Sequence, residues 1–234
     1  MDIRTHANER LAGDFDRVAA RYDLLNTLNP GYRKHLRWSA GRLAAAPTGR
    51  ILDLCCGTGL STEALVESYP AADVTGLDAS AGMLARARQK PRLSRVEFVL
   101  GDATDPAAVG VQGPFDAIFM AYGIRNVVER DRCLEHLRAL LRPGGRIAFH
   151  EYSVAGNRVG QAVWNAVASS VIVPLGTILT TSPQLFRYLR QSVNEFDSVS
   201  GFCERLERAG FKDVQALPMD GWQRGVAHTF VASA

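Results

Sequence analysis

The 234-residue sequence has little of several features that mark particular classes of protein. Lysine and arginine are mixed with acids and form no basic run, and the formal net charge is only +3. Charge therefore gives little reason to expect a nucleic-acid partner. The four cysteines have no metal-ligand spacing, so we expect reduced, mostly buried thiols and no metal site.

Hydrophobic runs of the kind that target or span membranes are also scarce. Residues 1–11 are charged and lack the apolar core of a signal peptide, which predicts a cytoplasmic protein. The best membrane candidate, 162–179, is interrupted by Asn165, two serines and Pro174, whereas a spanning helix needs about 20 mostly apolar residues. We expect this segment to form an apolar lid or interface helix.

The pattern that is present is an alternation of short β-rich runs with helical stretches, which predicts an α/β fold with a doubly wound, mostly parallel sheet. Apolar residues make up 47% and charged residues 22%, as in a globular domain. The predicted strands are 50–54, 74–78, 96–101, 115–121, 146–152, 213–217 and 225–232, with helices at 7–27 and 32–45 before them.

We expect one domain over residues 1–234. It divides into an N-terminal helical cap (1–48), a cofactor-binding core (49–153), a helical lid insertion (154–198), and a C-terminal helix with the last two strands (199–234). The lid follows the fifth strand, so it belongs at the carboxyl ends of the strands, where ligands bind in such sheets. An insertion there can cover a site.

A glycine-rich turn, Cys56-Gly57-Thr58-Gly59, follows the first strand, and such a turn lets the backbone approach a ligand closely. Asp78 ends the second strand 21 residues after Gly57, near the roughly 20-residue offset at which an acid meets ribose hydroxyls. A plain helix cap is the alternative for this acid. Position 62 is threonine, whereas a dinucleotide site has a third glycine there, which favours S-adenosylmethionine over a nicotinamide cofactor.

Several ordered motifs together resemble the UbiE-type ubiquinone and menaquinone C-methyltransferases, over about residues 14–232. The resemblance implies a seven-stranded sheet with an antiparallel last strand, S-adenosylmethionine as methyl donor, and often a homodimer. The motifs that carry it are Phe15-Asp16-Arg17-Val18-Ala19 with Tyr22-Asp23-Leu24-Leu25-Asn26, Leu52-Asp53-Leu54-Cys55-Cys56-Gly57-Thr58-Gly59, Tyr122-Gly123-Ile124-Arg125-Asn126-Val127, Leu141-Arg142-Pro143-Gly144-Gly145-Arg146, and Tyr188-Leu189 with Ser192-Val193.

The resemblance also implies roles on the donor side. Gly57 and Gly59 would face the methionine part, Asp78 the ribose, and Asp102 with Ala103 the adenine. In the lid helix, Asn194-Glu195-Phe196 replaces the usual His-Pro of the family, which leaves the acceptor less defined than the donor. The complete set of residues expected to bind the cofactor is Tyr22, Asp53, Gly57, Thr58, Gly59, Asp78, Ala79, Met83, Asp102 and Ala103.

For the acceptor side we expect Tyr122, Arg125 and Asn126 to be catalytic, because they follow the fourth strand beside the donor crevice. A ring carbon becomes nucleophilic only when a neighbouring hydroxyl gives up its proton, which calls for a proton acceptor or a charge-stabilising group. The alternative is that Arg125 braces its loop by pairing with an acid such as Glu129, while Asn126 caps the next helix. Other candidates are His150, Glu151 and His228, but structural roles are expected for the two histidines.

The sequence thus predicts a methyltransferase acting on a carbon of a quinol-like or related aromatic ring. The alternatives are an O- or N-methyltransferase of specialised metabolism and a cofactor-binding subunit without catalysis. We expect a small apolar aromatic substrate, a homodimer, and peripheral membrane contact through a lipid-like substrate. Residues 162–179, with Leu185, Phe186 and Tyr188, should wall the acceptor pocket.

Overall fold

The computed structural model describes residues 3–27, 29, 31–180 and 183–234, with side chains from Ala12 onward. The helices are α1 (Ile3–Thr27), α2 (Tyr32–Arg42), α3 (Leu60–Ser68), α4 (Ala81–Arg88), α5 (Arg130–Leu140), α6 (Arg158–Val167), α7 (Val173–Leu179), α8 (Pro183–Glu195) and α9 (Val199–Arg208). The strands are β1 (Arg50–Leu54), β2 (Asp73–Asp78), β3 (Glu97–Leu100), β4 (Phe115–Ala121), β5 (Leu141–Tyr152), β6 (Lys212–Pro218) and β7 (Ala227–Ser233).

The seven strands form one sheet in the order β3-β2-β1-β4-β5-β7-β6. All neighbours are parallel except β7, which lies antiparallel between β5 and β6. The expected doubly wound sheet with an antiparallel last strand is therefore confirmed. The chain runs outward in one direction through β1, β2 and β3 and in the other through β4 and β5. A crevice therefore opens beyond the carboxyl ends of the adjacent strands β1 and β4.

Helices cover both faces of the sheet, as is usual for a mostly parallel sheet, so an apolar cluster lies on each face. One contains Phe149, Phe202 and Phe230 with α5 and α9, and the other packs α2 and α3 against Ile51 and Phe119. Serine side chains cap the N-termini of two helices. The Ser80 hydroxyl, before α4, accepts a hydrogen bond from the Met83 N–H at 3.0 Å, and the Ser198 hydroxyl, before α9, accepts one from the Gly201 N–H at 3.1 Å.

Most element boundaries agree with the sequence prediction to within two residues, and three differ by three residues or more. The first helix begins at Ile3 rather than at residue 7, and α2 ends at Arg42 rather than at residue 45. Strand β5 begins at Leu141, so the expected turn at 142–145 lies within the strand as assigned. The predicted helix break at 29–31 includes Pro30, which lies outside the described residues.

The segment between β5 and α9 is helical, as predicted. Helices α6 and α7 are joined by a π-helical stretch, Ala168–Ile172. Pro174 lies just after it, and the wider π turn accommodates a residue that has no N–H and whose ring would clash with an α-helical carbonyl one turn earlier. The result is one continuous apolar rod, Arg158–Leu179.

Candidate active site

A cavity with about 800 Å³ of empty space, including its mouth, lies in the crevice at the carboxyl ends of β1, β2 and β4. The backbone of the glycine turn borders it, with φ +56° at Gly57. A Cβ built at Gly57 would meet no atom within 4 Å, so its missing side chain leaves open space against the cavity. Gly59 is needed for packing instead, because a Cβ at this position would lie only 2.5 Å from the Leu93 side chain.

The Asp78 carboxylate organises this turn from the end of β2. It accepts hydrogen bonds from the Gly57 N–H at 2.8 Å and from the Ser80 N–H at 2.9 Å. Burial raises the pKa of Asp78, and the backbone donors at Ser80 and Gly57 partly offset that rise. The side chain is therefore more than the helix cap that we considered as its alternative, because it also lines the cavity.

Seven of the ten residues expected to bind the cofactor line this cavity, and three do not. The three outside it are Asp53, Thr58 and Gly59. Asp53 is fully buried and accepts hydrogen bonds from Ser61 (2.8 Å) and Thr62 (2.6 Å), and burial raises its pKa to about 7. The residues that line the cavity are Tyr22, Gly57, Asp78, Ala79, Met83, Asp102 and Ala103.

Helix α1 closes the crevice through two acids on its inner face. Asp16 accepts hydrogen bonds from the Ser80 hydroxyl and from the Gly82 N–H at 2.8 Å. Two turns further on, Asp23 accepts from the Thr58 hydroxyl and pairs with Lys90 at 2.8 Å. Thr58 therefore serves to attach the cap to the glycine turn.

A second and larger cavity, with about 1440 Å³ of empty space including its mouth, adjoins the first. Phe15, Tyr22 and Tyr122 line both cavities. The wall of the larger one is mostly apolar or aromatic and includes five of the six tyrosines of the chain. Its lid-derived members are Val167, Val171, Ile172, Leu175, Leu185, Phe186, Tyr188 and Leu189, and those from elsewhere include Leu25, Tyr32, Tyr152 and Trp222.

Arg125 lies in the wall of the larger cavity, with its guanidinium held from three sides. It donates to the Glu151 carboxylate at 2.6 Å, to the Tyr122 carbonyl at 3.1 Å and to the Ser192 hydroxyl at 3.3 Å. Burial alone would lower the pKa of Arg125, but Glu151 more than offsets this and the pKa is raised. Arginine stays protonated in proteins. Burial raises the pKa of Glu151, and the Arg125 guanidinium partly offsets that rise.

The alternative for Arg125 was a pairing with an acid such as Glu129, and the structure does pair it with an acid, though a different one. Glu129 lies 3.4 Å from Arg132 instead. The acid that pairs with Arg125 is 26 residues away, on the adjacent strand β5. Asn126 also does not cap α5; its amide nitrogen lies 3.4 Å from the Tyr122 carbonyl, and its oxygen accepts from the Tyr188 hydroxyl at 3.1 Å.

Tyr122 stands at the junction of the two cavities in a left-handed backbone conformation, with φ +57°. Its ring stacks on Tyr32, with centroids 5.4 Å apart, and tilts against Tyr152 at 4.8 Å. Its hydroxyl lies 2.8 Å from Nε2 of His150. Burial raises the pKa of Tyr122 well above its ordinary value, so the hydroxyl stays protonated near neutral pH.

Sequence reasoning did not identify several residues that the fold brings to these cavities. Phe15, Tyr32, Tyr152 and Trp222 line them, but none has a local pattern that marks a site. His150, which was among the further candidates, contacts Tyr122. Only the resemblance could have indicated Phe15, because it lies in the matching N-terminal motif. His228 lines neither cavity, and burial lowers its pKa to about 4.

Comparison with known proteins agrees with this geometry. A methyltransferase from Thermotoga maritima, described as a possible histamine N-methyltransferase, superposes with a TM-score of 0.67 at 18% identity and covers 95% of this chain and 99% of its own. A phosphoethanolamine N-methyltransferase from Haemonchus contortus gives a TM-score of 0.66 at 18% identity, covering 93% of this chain and 57% of its own. At such identities these structures show the shared fold.

The sequence relatives are more similar. The ubiquinone/menaquinone biosynthesis C-methyltransferase of Syntrophotalea carbinolica is 34% identical over 88% of each chain. The demethylmenaquinone methyltransferase of Beutenbergia cavernae is 35% identical over 87% of this chain and 83% of its own. The model of the ubiE/COQ5 methyltransferase family matches residues 4–232. With nearly its whole length matched, the chain belongs to the ubiE/COQ5 methyltransferase family.

Proposed function

We propose that this methyltransferase transfers a methyl group from S-adenosylmethionine to a ring carbon of a quinol-like acceptor. The observation that carries the proposal is the pair of adjoining cavities: a small crevice with polar contacts beside a large apolar one, meeting at Tyr122. Relatives at 34–35% identity are named for the same chemistry on ubiquinone and menaquinone precursors.

The crevice suits S-adenosylmethionine in shape and in chemistry. The open space beside Gly57 admits a ligand against the backbone, and the Asp78 carboxylate is placed to accept hydrogen bonds from ribose hydroxyls. Met83 and Ala103 offer apolar contact for the adenine. When bound, the cofactor supplies an electrophilic methyl group that passes to the acceptor and leaves a neutral thioether.

The large cavity suits an aromatic ring with an apolar tail. Its aromatic and aliphatic walls exclude water, which would otherwise compete for the methyl group. Arg125 provides a fixed positive charge in the wall, able to stabilise a phenolate as the ring hydroxyl loses its proton. Asn126, held by Tyr188, helps to fix the geometry beside it.

Labelling decides between this proposal and other acceptors. The protein is incubated with methyl-labelled cofactor and a set of demethylated quinols with and without prenyl tails, and the products are analysed by NMR. Label on a ring carbon supports the proposal. Label on oxygen or nitrogen, or none with any quinol, contradicts it.

We also propose that the apolar rod Arg158–Leu179 meets a membrane surface, from which a lipid-like acceptor enters. By length and composition this is the one helical run among the described residues able to cross a bilayer, with a mean hydropathy of 1.7. Only 17% of its apolar window is buried, and Ile178 and Val159 are 76% and 74% exposed. The same helical run lines the acceptor cavity through Val171 and Leu175.

Vesicle flotation tests this contact. The wild-type protein should float with phospholipid vesicles, and a variant with Ile178→Asp and Val159→Asp should not. Equal flotation of both proteins would contradict the proposal. A loss of self-association in the same variant, measured by analytical ultracentrifugation, would assign the face to a second copy of the chain instead. The cytoplasmic location and the homodimer otherwise stay predictions.

A further inference from the structure

A line of hydrogen-bonding side chains crosses the protein behind Tyr122 and connects it to an arginine near the sheet edge. Arg42 Nη1 lies 3.0 Å from Thr229 Oγ1, which lies 2.7 Å from Ser39 Oγ. Ser39 Oγ lies 2.9 Å from His150 Nδ1, and His150 Nε2 lies 2.8 Å from the Tyr122 hydroxyl. Ser39, His150 and Thr229 are fully buried, so water does not compete for these contacts.

Arg42 fixes the direction of the first hydrogen bond, because a guanidinium only donates. The carbonyls of Leu217 and Pro218 hold it in place, each accepting at 3.1 Å. Thr229 Oγ1 therefore accepts from Arg42. Ser39 is the one other described group within hydrogen-bonding distance of the Thr229 hydroxyl. If Ser39 donated to Thr229, the Thr229 hydrogen would be buried without an acceptor, which is unfavourable.

The remaining directions follow in sequence. Thr229 donates to Ser39, and Ser39 donates its own hydrogen to His150 Nδ1. Burial, together with the nearby His35, Arg42 and His228, lowers the pKa of His150 to about 3, so the ring is neutral. A neutral imidazole that accepts at Nδ1 carries its proton at Nε2. His150 then donates to the Tyr122 oxygen, which leaves the Tyr122 hydrogen free to point away from His150.

We propose that Tyr122 is a hydrogen-bond donor to an oxygen of the ring acceptor, and that Arg42, Thr229, Ser39 and His150 are positioning residues that fix this direction. The inference rests on the proposed function for the identity of the acceptor. It restricts the ligand to a ring with a phenolate or carbonyl oxygen next to the carbon that is methylated. It also makes Tyr122 a donor and not the base that removes the ring proton.

The location of Tyr122 fits this role. It lines both cavities, so an acceptor oxygen at its hydroxyl would lie beside the methyl donor. Tyr152, whose ring centroid lies 4.8 Å from that of Tyr122, lines the same cavity. A hydrogen bond from Tyr122 stabilises the phenolate formed when the ring is activated and the carbonyl present after methyl transfer.

The tautomer of His150 tests the direction without any measurement of activity. Nitrogen-15 NMR of the wild-type protein should show a neutral ring protonated at Nε2, with the signal assigned by its loss in His150→Gln. Ser39→Ala removes the hydroxyl that donates to Nδ1 and should shift the ring toward the Nδ1 form, and Ser39→Thr, which keeps the hydroxyl, should restore the wild-type spectrum. A wild-type ring protonated at Nδ1, or at both nitrogens near neutral pH, would overturn the inference.

Kinetics with a quinol acceptor test the role of the hydroxyl. Tyr122→Phe should lower kcat at least tenfold with cofactor affinity unchanged, and Ser39→Ala should lower it about fivefold, with recovery in Ser39→Thr. Tyr69→Phe is the matched control, because its buried hydroxyl bonds to the Ala40 carbonyl away from both cavities. An unchanged kcat in Tyr122→Phe would overturn the donor role. If the wild-type protein methylated no ring carbon, the proposed function would fail, while the tautomer result would stand separately.

Discussion

The crevice and the apolar cavity meet at Tyr122 but are assembled in different ways. The crevice takes its polar contacts from the carboxyl ends of the adjacent strands β1 and β2. Asp78 is the last residue of β2, and Gly57 lies in the turn that follows β1. The cavity collects its walls from α1, the lid and Trp222, which are far apart along the chain. Donor binding therefore depends on local geometry at strand ends, whereas the acceptor site depends on how distant helices pack.

The comparison predicts that changes on the acceptor side affect turnover and leave donor affinity intact. Arg125→Ala and Arg125→Lys should each lower kcat by about 100-fold or more. Alanine removes the positive charge that stabilises the phenolate at the transition state, and lysine lacks the planar fork of the guanidinium. Steady-state assays with a quinol measure the turnover, and calorimetric titration of S-adenosylmethionine measures the donor affinity separately.

Arg132→Ala is the control, since its guanidinium is largely exposed and lies 3.4 Å from Glu129. Loss of Arg125 also leaves Glu151 buried without its partner, at a cost of about 3–5 kcal/mol of stability. If the folded Arg125 variants had a normal kcat and only their thermal stability fell, Arg125 would have a structural role in its loop and no role in turnover. That result would contradict the contrast between the two cavities.

On the donor side, Asp78→Ala should weaken binding of S-adenosylmethionine by about 2 kcal/mol, roughly 30-fold, because the ribose hydroxyls lose a charge-assisted partner. Calorimetric titration of the folded variant measures this loss. Asp73→Ala, at the far exposed end of the same strand, is the control and should bind normally. An unchanged dissociation constant for Asp78→Ala would remove this residue from the site.

A polar change in the cavity wall should raise KM for a tailed acceptor without changing cofactor affinity. Leu175→Ser, in the rod above the cavity, should raise it about tenfold by making the wall less favourable for an apolar tail. Thr177→Val, two residues along the same helix and exposed, is the control. Equal specificity constants for tailed and tail-free acceptors in the wild-type protein would exclude a tail-binding role.

The buried histidine should make stability depend on pH. Its ordinary pKa of about 6.5 applies in the unfolded chain, and its pKa of about 3 in the folded protein is lower, so protons bind the unfolded state preferentially. Stability is fully present above about pH 6.5 and is lost as pH falls towards 3. From pH 7 to 5.5 His150 should account for about 1 kcal/mol.

Urea denaturation over this pH range checks the prediction. In His150→Gln the loss of unfolding free energy from pH 7 to 5.5 should be smaller by that amount. His136 has a partly exposed ring, and His136→Gln should match the wild-type protein. Identical pH dependence in the wild-type protein and the His150 variant would show that the histidine is not buried in its neutral form.

Much of the fold was predictable because strands, caps and glycine turns are local signals. The alternation of periods predicted the sheet, and seven of the ten cofactor residues line the crevice. The differences also have local causes: Asp53 and Thr58 belong to the matching motif, but their side chains bond to protein groups outside the cavity. A motif indicates where the backbone goes and does not show which way each side chain points.

By itself the sequence determined that an acid would end β2 opposite a glycine turn, since both follow strands whose parallel pairing aligns their ends. Only the tertiary structure decided that Glu151 rather than Glu129 pairs with Arg125, and that Tyr122, His150, Ser39 and Thr229 form one line. These partners are up to 190 residues apart. Buried polar groups must find partners in the folded interior, and packing rather than sequence spacing determines which groups lie within reach.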